Sequence, residues 1–149
     1  MLTTRAQYAV RAVLYVAQQG GTAPVGVRGI ARDLHLPQNS LSKTMHELAR
    51  AGVLHSVRGK HGGFQLAVPP GDLALRDVVA VFDPAPDASP CLLGPARCDP
   101  DAPCAGHAVW LRAVTELGRF LATTTVADLM RRGPVARDRE RQSPEGHDA

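Results

Sequence analysis

Residues 27–52 read VRGIARDLHLPQNSLSKTMHELARAG, and the fold turns on them. Val27, Ile30, Ala31 and Leu34 recur one helical turn apart, so the stretch opens as a short amphipathic helix. Pro37 lacks the backbone N–H needed to continue that helix, and His35-Leu36-Pro37 is too short for a flexible loop. A second helix is predicted from about Gln38 to Ala51, with Leu41, Met45 and Leu48 on its buried stripe. Gly52 stands where a helix C-terminus favours a left-handed residue. Two short helices so closely joined form a helix-turn-helix layout. Gln38, Asn39, Ser40, Ser42 and Lys43 fall near the start of the second helix. Polar side chains there reach base edges and phosphates in a major groove. Any amphipathic helix also carries polar residues outside, so a merely solvated face is the plainer reading.

Downstream, Val53–Val57 and Phe64–Val68 read as paired strands around the turn Arg58-Gly59-Lys60-His61-Gly62-Gly63. Three glycines allow positive φ and close approach to another surface. Arg58, Lys60 and His61 place up to three cations on the tip. A basic hairpin directly after a helix-turn-helix is a wing, suited to a minor groove or its phosphates. Upstream, Ala6, Ala9, Val10, Val13, Leu14 and Ala17 predict an amphipathic helix over 3–18, ended by Gly20-Gly21.

The net charge of +3 is unevenly spread. Residues 1–70 hold eight Lys/Arg against Asp33 and Glu47, whereas residues 71–149 net −3. A basic first half suits an anionic polymer as its partner. With 149 residues, 44% hydrophobic and 21% charged, the chain is sized for one domain or a domain with an appendage. No stretch approaches the roughly 18 apolar residues of a membrane span, and the N-terminus lacks a signal-peptide layout. A cytoplasmic protein without a membrane partner is expected. An enzyme is not, because phosphate-loop, G-x-S-x-G and H-E-x-x-H motifs are all missing. A catalytic cysteine assisted by His107 would leave two cysteines unexplained.

Beyond the wing, Asp72–Phe82 is predicted helical, with Leu75, Val78, Val79 and Phe82 apolar. In residues 84–106, eight of 23 positions are Pro or Gly, and all three cysteines lie there. Such a loop buries little apolar surface, so something must order it. Helical period returns from about Cys104 to Ala122 through Trp110, Ala113, Val114, Leu117 and Leu121, an apolar face suited to packing against a second copy. Val126, Leu129 and Met130 close the fold, and 133–149 is expected to be a disordered tail. The expected organisation is a DNA-binding domain over 1–83, a cysteine loop and dimerisation helix over 84–132, and the tail.

The cysteines run Cys91-x6-Cys98-x5-Cys104-x2-His107. An odd number without a secretion signal argues against a disulfide framework. Three thiols and an imidazole within 17 positions suit a metal or an iron–sulfur cluster. Cys104 and His107 would share a face if both were helical. Structural zinc accepts this donor set but usually employs close C-x2–4-C pairs, which these gaps are not. Free reactive thiols are the third option.

Leu2-Thr3, Tyr8-Ala9-Val10, the run Leu48–Leu54 (LARAGVL), the wing Val57–Leu66 (VRGKHGGFQL), Asp77-Val78-Val79, the three cysteines and Thr125–Leu129 (TVADL) carry a resemblance. Over residues 1 to about 132 the chain resembles the Rrf-two family of bacterial winged-helix regulators. The resemblance implies a mainly α fold with a small β wing, a winged helix-turn-helix plus a long C-terminal dimerisation helix. It further implies a homodimer on a palindromic duplex operator, acting as a repressor or dual regulator whose cluster alters DNA affinity or site choice. Cys104-x2-His107 followed by Ala108-Val109-Trp110 is similar to the family's cluster-homeostasis regulators, where three cysteines and that histidine hold a [2Fe–2S] cluster. Asn39, Lys43, Arg50-Ala51-Gly52 and the Arg-Gly-Lys wing are similar to its nitric-oxide-sensitive repressors, which can take a fourth ligand from the partner's first helix. That position is here Gln7, a poor ligand. The implied metal site is therefore Cys91, Cys98, Cys104 and His107, holding [2Fe–2S] with [4Fe–4S] as the alternative, and sensing iron–sulfur status, redox state or nitric oxide. The implied DNA contacts are Arg28, Gln38, Asn39, Ser40, Ser42, Lys43, Arg58, Gly59, Lys60, Gly62 and Gly63. A structural-zinc or thiol-based redox regulator is the rival reading.

Overall fold

The computed structural model describes residues 2–20, 23–83, 91, 93 and 99–135. Among these residues six helices and one hairpin follow in the order α1 (Thr4–Gln18), α2 (Val27–Leu34), α3 (Gln38–Arg50), β1 (Leu54–Val57), β2 (Gly63–Leu66), α4 (Leu75–Val79), α5 (His107–Thr123) and α6 (Val126–Arg132). Helix α1 starts where the Thr3 hydroxyl accepts from the Ala6 N–H. It is the axis of the domain, because α2, α3, α4, α6 and β2 all pack against it. Ala6, Ala9, Ala12 and Ala17 are buried there beside Val13, Leu14 and Val16, and their small side chains permit that close approach.

Helices α2 and α3 meet at His35, which adopts a left-handed conformation with φ 54°. The Arg11 guanidinium donates to the Leu34 carbonyl at 2.8 Å and so occupies an acceptor at the end of α2. The hairpin is antiparallel with Leu54 opposite Leu66 and Ser56 opposite Phe64. Val25 adds a further rung, exchanging both backbone hydrogen bonds with Phe64 at 2.9 Å. The wing is thereby bolted to the strand-like lead-in of α2.

Two helices differ from their expected spans. Asp72–Phe82 contracts to the five residues of α4, because its first residues are engaged elsewhere. The Asp72 N–H closes a turn on Pro69, and residues 73–75 pair with 124–126 through Leu75 N–H to Thr124 O and Val126 N–H to Leu73 O. At the other end α5 begins at His107, so Cys104 precedes it rather than lying on it.

Thr125 and Asp128 form a reciprocal capping box at the start of α6. The Thr125 hydrogen bonds, with the nearby Arg131 and Arg132 charges, hold the Asp128 carboxyl below its ordinary value. A lowered carboxyl stabilises the fold above its unfolded pKa, and that contribution is lost as pH falls through the folded value. Thr125→Ala should cost about 1 kcal/mol. Thermal melts at neutral and acid pH should show the mutational difference shrinking in acid.

Of the segment 133–149, residues 136–149 lie outside the described residues, as do 84–90 at the expected domain boundary. Gly133 accepts from the Gln18 side-chain amide at 2.8 Å, so the chain leaving α6 is still tied to α1. Among the described residues no helix is long and apolar enough to cross a membrane.

Candidate nucleic-acid interface and metal centre

Burial of Leu41, Thr44, Met45 and Leu48 fixes the rotation of α3 about its axis. Gln38, Asn39, Ser40 and Lys43 are left exposed and Ser42 half-buried, all within the first two turns. Arg28 is exposed on the first turn of α2. These are the positions read from sequence. The exposed stripe runs further, however, through Asn39, Lys43, His46 and Arg50 at spacings of four, three and four residues. His46 and Arg50 were legible by continuing that period past the first two turns.

Arg58, Gly59, Lys60 and His61 are exposed at the tip of the wing, with Gly59 at φ 111°. Gly62 and Gly63 pack closely against the chain itself. A Cβ on Gly62 would stand 2.3 Å from the Val57 carbonyl oxygen, and one on Gly63 would stand 2.5 Å from that of Val25. The surface that these two glycines allow to approach is the protein's own backbone.

Arg5 is a residue that periodicity does not reveal. Its guanidinium donates to the Glu47 carboxylate of α3 at 2.5 Å and stacks over Phe82 at 5.0 Å. Beside it the Thr3 N–H donates to the Asp83 carboxylate at 2.8 Å. An ion pair so exposed contributes little stability. Its consequence is positional, since it ties α3 to the end of the α4 segment, from which the chain runs on to Cys91.

The sulfurs of Cys91 and Cys104 lie 3.5 Å apart. That is far beyond the roughly 2.05 Å of a disulfide and close to the separation of two thiolates on one tetrahedral metal with bonds of about 2.3 Å. The His107 N–H donates to the Cys104 carbonyl at 3.0 Å, so a single turn joins the two residues. His107 Nδ1 is buried without a hydrogen-bond partner. An orphaned buried nitrogen costs about 1–3 kcal/mol unless something else uses its lone pair. Two adjacent thiols and a buried, unpartnered imidazole nitrogen fit an iron–sulfur cluster or zinc by donor chemistry. Cys98 lies outside the described residues, and among the described ones no three candidate ligands gather. Gln7 is engaged elsewhere, donating its amide to the Leu2 carbonyl at 3.0 Å.

Comparison with known proteins gives the fold and these features a family. The family model "Rrf2: Iron-dependent Transcriptional regulator" matches residues 2–132. The chain is 34% identical over 137 residues to Protein rrf2 of Nitratidesulfovibrio vulgaris, covering 87% of each. It is 32% identical over 141 residues to the HTH-type transcriptional regulator IscR of Vibrio atlanticus, covering 95% of this chain and 81% of that one. The solved structure of CymR, the global cysteine regulator of B. subtilis, superposes with a TM-score of 0.77 at 23% identity, over 89% of this chain and 98% of that one. That last likeness is one of fold. With its winged helix-turn-helix and C-terminal helix, the chain belongs to the Rrf2 family of transcriptional regulators, which bind DNA and are not enzymes.

Proposed function

We propose that this chain is a homodimeric, cytoplasmic repressor whose grip on a palindromic operator is set by an iron–sulfur cluster. The unpartnered, buried His107 Nδ1, one backbone turn after Cys104, carries this reading together with the close Cys91 and Cys104 sulfurs. Cys91, Cys98, Cys104 and His107 would hold the cluster, [2Fe–2S] in the favoured form. When bound it supplies a redox- and nitric-oxide-sensitive group whose loss releases the loop that it orders. Arg5 would pass that change on, because Phe82 and Asp83 bear on α1 at the point where Arg5 holds Glu47 of the reading helix.

The partner is a second copy. Val109 and Phe120, eleven residues apart and so on one side of α5, are 74% and 46% exposed, while only Val114 and Leu121 of that helix are buried. An apolar helix face of this kind calls for a cover, and two-fold symmetry would present two α3 helices to successive major grooves. Anaerobically purified protein, assayed for iron, acid-labile sulfide, zinc and visible absorption and weighed by sedimentation, tests the whole reading. A coloured dimer with iron and sulfide supports it. A colourless zinc protein, or a metal-free one, would replace the cluster by zinc or by thiols.

On the DNA side, Lys43 and Asn39 stand one turn apart, and lysine suits guanine O6/N7 while asparagine suits adenine. Lys43→Ala should cost about 1–3 kcal/mol on a duplex selected by the protein and less on mixed-sequence DNA. Lys60→Ala should weaken both alike and lower the salt slope by about 0.9 per wing. Equal loss on both duplexes for Lys43→Ala would reduce it to a phosphate contact.

A further inference from the structure

Between the second half of α3 and β1 lies an open depression of about 520 Å³, lined by His46, Ala49, Arg50, Leu54, His55 and Ser56. Its polar groups are two imidazoles, a guanidinium and a hydroxyl, with no carboxylate among them. Glu47, the acid nearest in sequence, is held instead by Arg5 of α1. The His46 ring stands edge-on to Phe64 at 5.3 Å and 74°. Phe64 is 4% exposed and pairs with Ser56 across the hairpin, so His46 rests on a fixed support between helix and wing.

The charged and titratable groups around it are all cationic or able to become so. Lys43 and Arg50 flank His46 on α3, His55 stands on β1, and Arg58, Lys60 and His61 lie at the tip, while β2 offers Phe64. Clustered donors without a competing carboxylate suit one ligand class, a phosphate oxygen. A duplex read by α3 in one groove and touched by the wing in the next runs its backbone between those two elements.

Resting on the DNA-binding reading above, we propose that His46, Arg50 and Ser56 form a seat for a backbone phosphate of the bound duplex, one that tightens when His46 takes up a proton. Phosphate favours imidazolium over imidazole, so binding raises the histidine's proton affinity. DNA affinity therefore rises as pH falls across the range in which the imidazole gains its proton. Each protonated seat also neutralises one more phosphate and releases its counterion.

The test is fluorescence anisotropy with a labelled mixed-sequence duplex at about pH 8 and about pH 6, on either side of that range, over a series of salt concentrations. Visible absorption is recorded at both pH values so that any loss of a bound iron centre is seen. Wild-type protein should bind about three- to tenfold tighter at the lower pH, with a salt slope steeper by about 0.9 per seat. His46→Gln should lose both effects, and His46→Arg should show at the higher pH the affinity and slope that wild type reaches only at the lower. Should His46→Gln keep the full pH response while His61→Gln abolishes it, the proton sits at the wing tip and the proposal is overturned. Absence of binding at either pH would be a separate result, striking at the DNA-binding reading itself.

Discussion

Cys104→Ala protein, purified without oxygen, is expected to be colourless and to lack iron and sulfide, and Cys91→Ala likewise. The effect should be near total. Residues 99–103 are all exposed, and eight of the 23 positions from 84 to 106 are Pro or Gly. A stretch of that composition offers little apolar surface to offset the entropy of ordering it without a metal. His107→Ala should behave differently, assembling a labile centre that is lost on exposure to chelator. In the wild type an imidazole ligand must be neutral, so protons compete with iron at this position and acid should strip the centre. His107→Cys should keep a centre and suppress that acid lability. An unchanged spectrum and unchanged acid stability in His107→Ala would place the fourth ligand elsewhere, with the Gln7 position or an exogenous ligand next to test.

Gly63→Ala should unmake the wing. The added Cβ would meet Val25 O at 2.5 Å, Val25 C at 2.6 Å and Gly26 N at 2.9 Å, all backbone atoms that cannot swing aside. Relief requires opening the Val25–Phe64 rung, and Gly26 is itself the N-cap of α2, so the displacement reaches the start of the helix-turn-helix. Overpacking of this kind costs about 1–3 kcal/mol, sometimes more. A lower midpoint in chemical denaturation and a marked drop in affinity for any duplex should appear together. Gly29→Ala is the matching control, because a Cβ there meets nothing within 4 Å. It should stabilise α2 by up to about 1 kcal/mol through helix propensity. If Gly63→Ala melts like wild type, the close approach at Val25 is not a constraint.

The reading helix was legible because its information is local. Leu41, Met45 and Leu48 define a buried stripe within a single helix, and the exposed face follows from the same 3.6-residue period. The hairpin was equally local, with both strands and the glycine-rich turn contained in residues 53–68. Donor chemistry at Cys91, Cys98, Cys104 and His107 needed only residue types and gaps, whereas the apolar face read on α5 has Val114 and Leu121 buried within the chain, and the exposed apolar residues are instead Val109, Leu111 and Phe120.

What composition and period determined by themselves, then, was the set of elements, the polarity of their faces and the chemistry on offer, since each is a property of one segment. Contacts across long sequence separations were decided only in the folded chain. Arg5 finds Glu47 42 residues away, and Thr3 finds Asp83 80 residues away. The pairing of residues 73–75 with 124–126 shortened α4 against its own apolar pattern, because backbone groups already bonded to another segment cannot also serve a helix. Tertiary structure likewise turned Gly62 and Gly63 toward the protein's own backbone and set the Cys91 and Cys104 sulfurs 3.5 Å apart. No one-dimensional pattern encodes such distances, because they arise from how separate elements pack.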